Sequence, residues 1–201
     1  MTAPLHVVTN DAVLADPVFP ARARAVLAAG GSEVVLHLRG YRTSGRRLFE
    51  LTRTLERSGS LAINDRVDIA LATGCRHVHL GQRGLPVREV SLLLDPDATV
   101  GVSVHDAAEA EAAAAEADYL FAGHVFETES HPGVPGKGVE FLRETRAHVD
   151  RPVVAIGGIT PGRVSEVRGA GAHGVAALSG VWSAGDPGAR VSRYLEALRE
   201  R

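Results

Sequence analysis

Short apolar runs alternate with longer stretches of helical periodicity along the chain, and this alternation restricts the fold more than any other feature. The runs fall at residues 5–9, 33–38, 61–64, 77–80, 99–104, 119–125, 153–157 and 174–179. Between them, 17–29, 45–58, 67–73, 87–93, 107–117, 139–149, 161–170 and 187–199 are rich in Ala, Leu, Arg and Glu. Asp106 is placed to cap the fifth helix, with Glu109 three residues on, and Thr160 precedes a Pro161 at a first helical position. Gly30, Gly59, Gly74 and Gly171 each follow a helical stretch, where a left-handed residue ends a helix at little cost.

Strands separated by helices pair in parallel, because each connection is a crossover. An open doubly wound sheet would leave two edges and would usually carry a glycine-rich turn after its first strand. Here the first strand runs into Thr9-Asn10-Asp11. A closed barrel has no edges and gathers its functional loops on one rim. The spacing, roughly 24 residues per unit, predicts a compact (β/α)8 TIM barrel, α/β in class, with residues 1–201 as a single domain.

Lys and Arg number 22 against 24 Asp and Glu, a net charge of −2. The chain has no overall field for nucleic acid or an anionic membrane, so a charged ligand must be held locally. Cys75 stands alone, which excludes an intramolecular disulfide and a cysteine-rich metal site. It reads as a small, partly buried apolar residue. No stretch approaches the ~18 apolar residues of a membrane span, and the N-terminus lacks a basic leader region. The expectation is a cytoplasmic protein with no nucleic-acid or membrane partner.

Functional groups of such a barrel stand where strands end. Glycines 157 and 158 after the seventh strand, with the Ser179-Gly180 turn after the eighth, read together as a phosphate pocket. Singly, each glycine only permits a tight turn. His124 sits at or just beyond the end of the sixth strand, and an imidazole there suits proton transfer, although a hydrogen-bonded rim histidine has the same spacing. His77 and His79 share a strand face and raise a metal-site alternative, which lacks a carboxylate or cysteine set to complete it. Of Arg39, Arg42, Arg46 and Arg47, most read as a solvated helix face; Arg39 is the exception because it ends a strand. The 130–137 loop, with Pro132 and Pro135, reads as a segment that closes over the mouth on ligand binding.

The segments YLFAGHVFET (119–128), GKGV (136–139), VVAIGGITP (153–161) and GVAALSGVWSA (174–184) resemble the thiamine phosphate synthase/TenI superfamily. HLRG (37–40), INDRVDIAL (63–71), HLGQ (79–82) and GVSVHD (101–106) fit the same pattern in the same order. The resemblance covers nearly the whole chain. Synthases of this superfamily couple a pyrimidine diphosphate to a thiazole phosphate with magnesium. Their pattern has Gln opening the QLRxK motif, an acidic residue after HLGQ and Lys in the T-x-T-K loop. Here those places carry His37, Arg83 or Gly84, and His131, while Asp65 survives as one carboxylate. Loss of charge-neutralising groups argues against releasing a diphosphate. GHVFET, with histidine after glycine, instead resembles the thiazole tautomerase (TenI-type) branch, in which that histidine is the acid–base residue.

The resemblance therefore implies a cofactor-free, metal-free isomerase that aromatises a carboxylated thiazole phosphate, with His124 as the proton shuttle. It places Arg39 against the substrate carboxylate, with Asn64 and Ser103 against the rest of the substrate. Thr128, Ser130, Gly157, Gly158, Leu178 and Ser179 fall to the phosphate, and the superfamily resemblance implies a homodimer. A magnesium-dependent synthase and a non-catalytic thiazole-phosphate-binding regulator are the competing readings.

Overall fold

The computed structural model describes residues 3–200. Eight strands pair in parallel and close into one barrel in chain order. They are β1 (Leu5–Val8), β2 (Val34–Leu38), β3 (Ser60–Asn64), β4 (His77–Leu80), β5 (Thr99–Val104), β6 (Tyr119–Gly123), β7 (Val153–Ile156) and β8 (Gly174–Ala177). Around them lie α1 (Asp11–Ala15), α2 (Phe19–Gly30), α3 (Gly45–Leu55), α4 (Val67–Thr73), α5 (Val87–Leu93), α6 (Ala107–Ala114), α7 (Gly138–His148), α8 (Val164–Gly169), α9 (Ser179–Trp182) and α10 (Pro187–Arg199). Closure is direct: Leu5 of β1 pairs with Val34 on one side and Val175 on the other. Among the described residues, no helix is long and apolar enough to cross a membrane.

Strand side chains alternate between two cores. One set, including Leu5, Val7, Leu36, Leu38, Ile63, Val78 and Leu120, packs with the helices in the main apolar shell. The other set points into the barrel, where Val8, Tyr119, Phe121, Val154 and Ala176 form a separate cluster. The helical ring is tied on by specific bonds. Trp182 Nε1 donates to Val8 O at 2.8 Å, and Tyr194 Oη donates to Ile159 O at 2.8 Å. A Cβ at Gly180 would stand 2.2 Å from that Tyr194 hydroxyl, so the position admits no side chain without displacing it.

Two short helices escape the periodicity. Asn10 caps α1, its Oδ1 accepting Val13 N–H at 2.9 Å, in a segment to which the periodicity assigns no element. α9 turns immediately after β8. The stretch 161–170 divides into a 3-10 turn, Pro161–Arg163, and α8, and Thr160 makes no side-chain cap. Asp106 does cap α6, accepting Glu109 N–H at 2.7 Å. Gly74 ends α4 in the left-handed conformation, whereas Gly30 remains helical and Gly31 takes the positive φ.

The barrel interior is polar to an unusual degree, with His6, His37 and His79 each at most 1% exposed. Their hydrogen bonds run in one direction. Asn64 Oδ1 only accepts, so His37 Nδ1 donates to it at 3.1 Å, and His37 Nε2 then accepts from His6 Nδ1 at 2.8 Å. No side chain among the described residues is hydrogen-bonded to His6 Nε2, and the nearby Ala3 backbone opposes the fall in the pKa of this ring. His79 Nδ1 lies 3.3 Å from Tyr119 Oη and its Nε2 2.9 Å from Ser103 Oγ. Phe121 packs on the His79 ring at 4.1 Å.

Burial pushes all three imidazoles below their usual range, His37 down to about 3. Neighbouring histidines act in the same direction at His6 and His79, while the Asn64 bond opposes the shift at His37. All three are therefore neutral in the folded protein, and unfolding at acid pH lets them bind protons. Their contribution is intact above the unfolded value near 6.5 and is lost as pH falls toward the folded values. Urea titrations between pH 7 and 5 should show stability falling by roughly 1 kcal/mol per pH unit for each histidine. The slope should be shallower in His37→Gln; an unchanged slope would contradict the assignment.

Candidate active site

The loops at the C-terminal ends of the strands enclose a cavity of about 540 Å3. Of the residues singled out from sequence, His124, Arg39, Ser103, Thr128, Ser130, Gly157, Gly158, Leu178 and Ser179 line it. Asn64 does not. It is 8% exposed, below the mouth, with its carbonyl oxygen occupied by His37. Tyr41, Asp65, Arg83 and His131 also line the cavity.

β6 ends at Gly123, earlier than the apolar run implies, and the Gly123–His124 peptide is cis. The following segment runs beside the end of β7, with Val125 N–H donating to Ile156 O at 2.9 Å and Phe126 N–H to Gly157 O at 3.0 Å. This approach needs glycine. A Cβ at Gly157, whose φ is +100°, would stand 2.3 Å from His124 Cβ. One at Gly158, with φ +63°, would stand 2.4 Å from Glu127 O. The two glycines thus serve backbone packing as well as opening the rim, a steric duty that an anion-binding reading of the motif misses.

His124 is only 9% exposed. Its Nε2 lies 3.3 Å from Val134 O and 3.2 Å from Pro135 O. Carbonyl oxygens only accept, so Nε2 carries the proton and Nδ1 carries the lone pair. No protein group among the described residues is bonded to Nδ1. The His131 ring stacks on His124 at 4.6 Å and 11°. Burial and the neighbouring His124 hold His131 below its usual range. The loop that supplies the carbonyls is fastened at its far end. Lys137 N–H donates to His124 O at 3.0 Å, Gly138 N–H donates to Val125 O at 2.8 Å, and Lys137 Nζ reaches His105 O. The 130–137 segment lies against the imidazole through the His131 ring and the Val134 and Pro135 carbonyls.

On the opposite rim, Thr9 Oγ1 accepts Arg39 N–H at 2.8 Å and fixes the end of β2. Asp11 then organises the next turn, accepting from the amides of Tyr41, Arg42 and Thr43 and from the Thr43 hydroxyl. Partial burial works against its charge, but these bonds prevail and hold its pKa below the ordinary carboxylate value.

Asp65, with φ +59°, is the one carboxylate lining the cavity among the described residues. Its Oδ1 accepts Gly81 N–H at 2.7 Å, and a Cβ at Gly84 would sit 3.1 Å from that same oxygen. A second carboxylate from position 84 would meet Asp65 here, and glycine supplies none. Among the described residues no group of three or more His, Cys, Asp or Glu is placed to hold a metal. His77 and His79 make no site either, since both ring nitrogens of His79 are taken by Tyr119 and Ser103. A magnesium ion held by a carboxylate pair would find one carboxylate of the pair here, Asp65.

The fold and the mouth together define a compact (β/α)8 barrel with a buried imidazole at its rim beside glycine-lined turns. The chain belongs to the TMP-TENI family, described as thiamine monophosphate synthase, which it matches over residues 5–181. It is 41% identical to the thiamine-phosphate synthase of Methanoculleus marisnigri, over 98% of this chain and 94% of that one. It is 49% identical over 142 residues to the thiamine biosynthesis bifunctional protein ThiM/ThiE of Symbiobacterium thermophilum, covering 69% of this chain but 29% of that protein. Among solved structures it resembles a thiamine phosphate pyrophosphorylase from Pyrococcus furiosus, with a TM-score of 0.78, 31% identity and coverage of 96% and 94% of the two chains.

Because Gly157 touches His124, Gly157→Ala should cost about 1–3 kcal/mol of stability in urea unfolding, from strain and overlap together. Gly162→Ala, with nothing within 4 Å of the added carbon, is the control. Equal behaviour of the two variants would show that the contact at Gly157 is not constraining.

Proposed function

We propose that this protein is a thiazole tautomerase, moving one proton within a carboxylated thiazole phosphate to make the ring aromatic. The reading rests first on the Nε2–H of His124, held by two backbone carbonyls, with Nδ1 left as the base at the mouth. Nδ1 takes the proton from the ring carbon that bears the carboxylate. The electron pair of that C–H bond enters the ring and the double bonds shift toward the exocyclic carbon. That carbon accepts the proton back from His124. The Val134 and Pro135 carbonyls face the imidazolium formed between the two transfers and stabilise its charge.

The phosphate is assigned to the turns after β7 and β8, with Gly157, Gly158, Leu178 and Ser179, and to the Thr128 and Ser130 hydroxyls. Arg39 and Ser103 take the ring and its carboxylate. Anchoring the phosphate away from the reacting carbons brings them repeatedly to the same nitrogen. Aromaticity drives the reaction, and the balance of atoms requires no oxidant and no leaving group.

A second reading, coupling of a pyrimidine diphosphate to a thiazole phosphate, draws support from the names of the relatives above. It asks the site to neutralise a departing diphosphate, and the lone Asp65 beside Gly84 counts against it.

Aromatic thiazole formation followed by ultraviolet absorbance separates the readings. Turnover should persist in chelator and fall by about 10²–10⁴-fold in His124→Asn. Undiminished turnover in that variant, or magnesium-dependent pyrophosphate release from the coupling substrates, would overturn the tautomerase reading.

A further inference from the structure

The rim opposite the glycine turns carries two cations that no acidic group answers. The guanidinium of Arg39, from the end of β2, lies 5.6 Å from the centre of the Tyr41 ring, and that of Arg83, from the β4–α5 loop, lies 5.3 Å from the same centre. Both residues line the cavity. Among the described residues neither guanidinium is within ion-pair distance of a carboxylate, and Asp65, on the same rim, is turned to Gly81 N–H. Arg39 Nε is buried without a hydrogen-bond partner. The charge of Arg39 is felt at His37, His79 and His131, and depresses each of them.

Two like charges gathered on one aromatic ring repel each other, and the ring quadrupole offsets only part of that. An oxyanion in the cavity that both residues line would answer the two charges and fill the open donor at Arg39 Nε. β4 stands opposite β8 in the closed barrel, and β3, between β2 and β4, stands opposite β7, so Arg83 faces the glycine turns over the width of the mouth.

We infer that Arg83, together with Arg39 and spaced by Tyr41, forms a second anion subsite that selects the carboxylate of a substrate whose phosphate is held on the opposite rim. The inference rests on the tautomerase reading and deepens it. Arg83 then determines specificity, distinguishing a thiazole phosphate that bears the ring carboxylate from one that has lost it. Two guanidiniums would equally suit a diphosphate, so the test carries an arm for that ion.

The test is calorimetric binding of three probes to the full chain: 2-carboxythiazole phosphate, the same thiazole phosphate without the carboxylate, and inorganic pyrophosphate. Arg83→Gln should weaken the carboxylated probe by about tenfold, the effect of one charge-assisted hydrogen bond. It should leave the decarboxylated probe within about twofold, and Arg83→Lys should recover part of the loss. Equal weakening of both thiazoles, no weakening of either, or a loss confined to pyrophosphate would overturn the assignment of Arg83 while the tautomerase reading stands on its own assay. Failure of the unaltered protein to bind either thiazole would count against both.

Discussion

Two backbone carbonyls face one nitrogen of His124, and the tautomer of that ring follows from the contact. An imidazole free to choose its tautomer offers a base only part of the time. With Val134 O and Pro135 O set against Nε2, the proton stays on that nitrogen and the lone pair stays on Nδ1. The arrangement depends on the 130–137 loop, and the loop depends on the Lys137 and Gly138 amides that tie its end to residues 124 and 125. It depends equally on Gly157, whose missing side chain lets the segment after β6 settle against β7. The same few atoms thus pack the segment after β6 and set the tautomer of His124.

Below the mouth, the barrel fills its interior with histidines where aliphatic side chains would cost less desolvation. Each is hydrogen-bonded to a neighbouring side chain. Removing a hydrogen-bonding partner from such a layer leaves a buried polar group exposed to the full penalty. The layer is not isolated from the cavity. His79 holds Ser103, which lines it, and His37 holds Asn64 just beneath. Tyr119 has His79 as its hydrogen-bond partner, so a neutral His79 that accepts from Tyr119 donates its Nε2–H to Ser103. The serine hydroxyl proton is then free to turn toward the cavity.

The strands were legible because parallel strands are buried on both faces and appear as unbroken apolar runs. The barrel followed from their number and spacing, and most of the rim residues followed from standing at strand ends. What the sequence hid has physical causes. α1 and α9 are too short to show a period, and α1 is announced only by one asparagine. Asn64 carries no mark that its oxygen belongs to an interior histidine. The contact that fixes the His124 tautomer comes from main-chain carbonyls, which leave no residue-type signal. Arg83 was visible only as a departure from a motif, and its role rests on meeting Arg39 at Tyr41, a juxtaposition of two loops.

The protonation pattern of His124 is the most direct test of the account. Nitrogen-15 resonances of its ring, assigned by their loss in His124→Asn, report which nitrogen bears hydrogen in the neutral imidazole. A proton on Nε2 with Nδ1 bare is the expected result. A ring protonated at Nδ1, or exchanging evenly between the two forms, would contradict the claim that the loop carbonyls prepare the base.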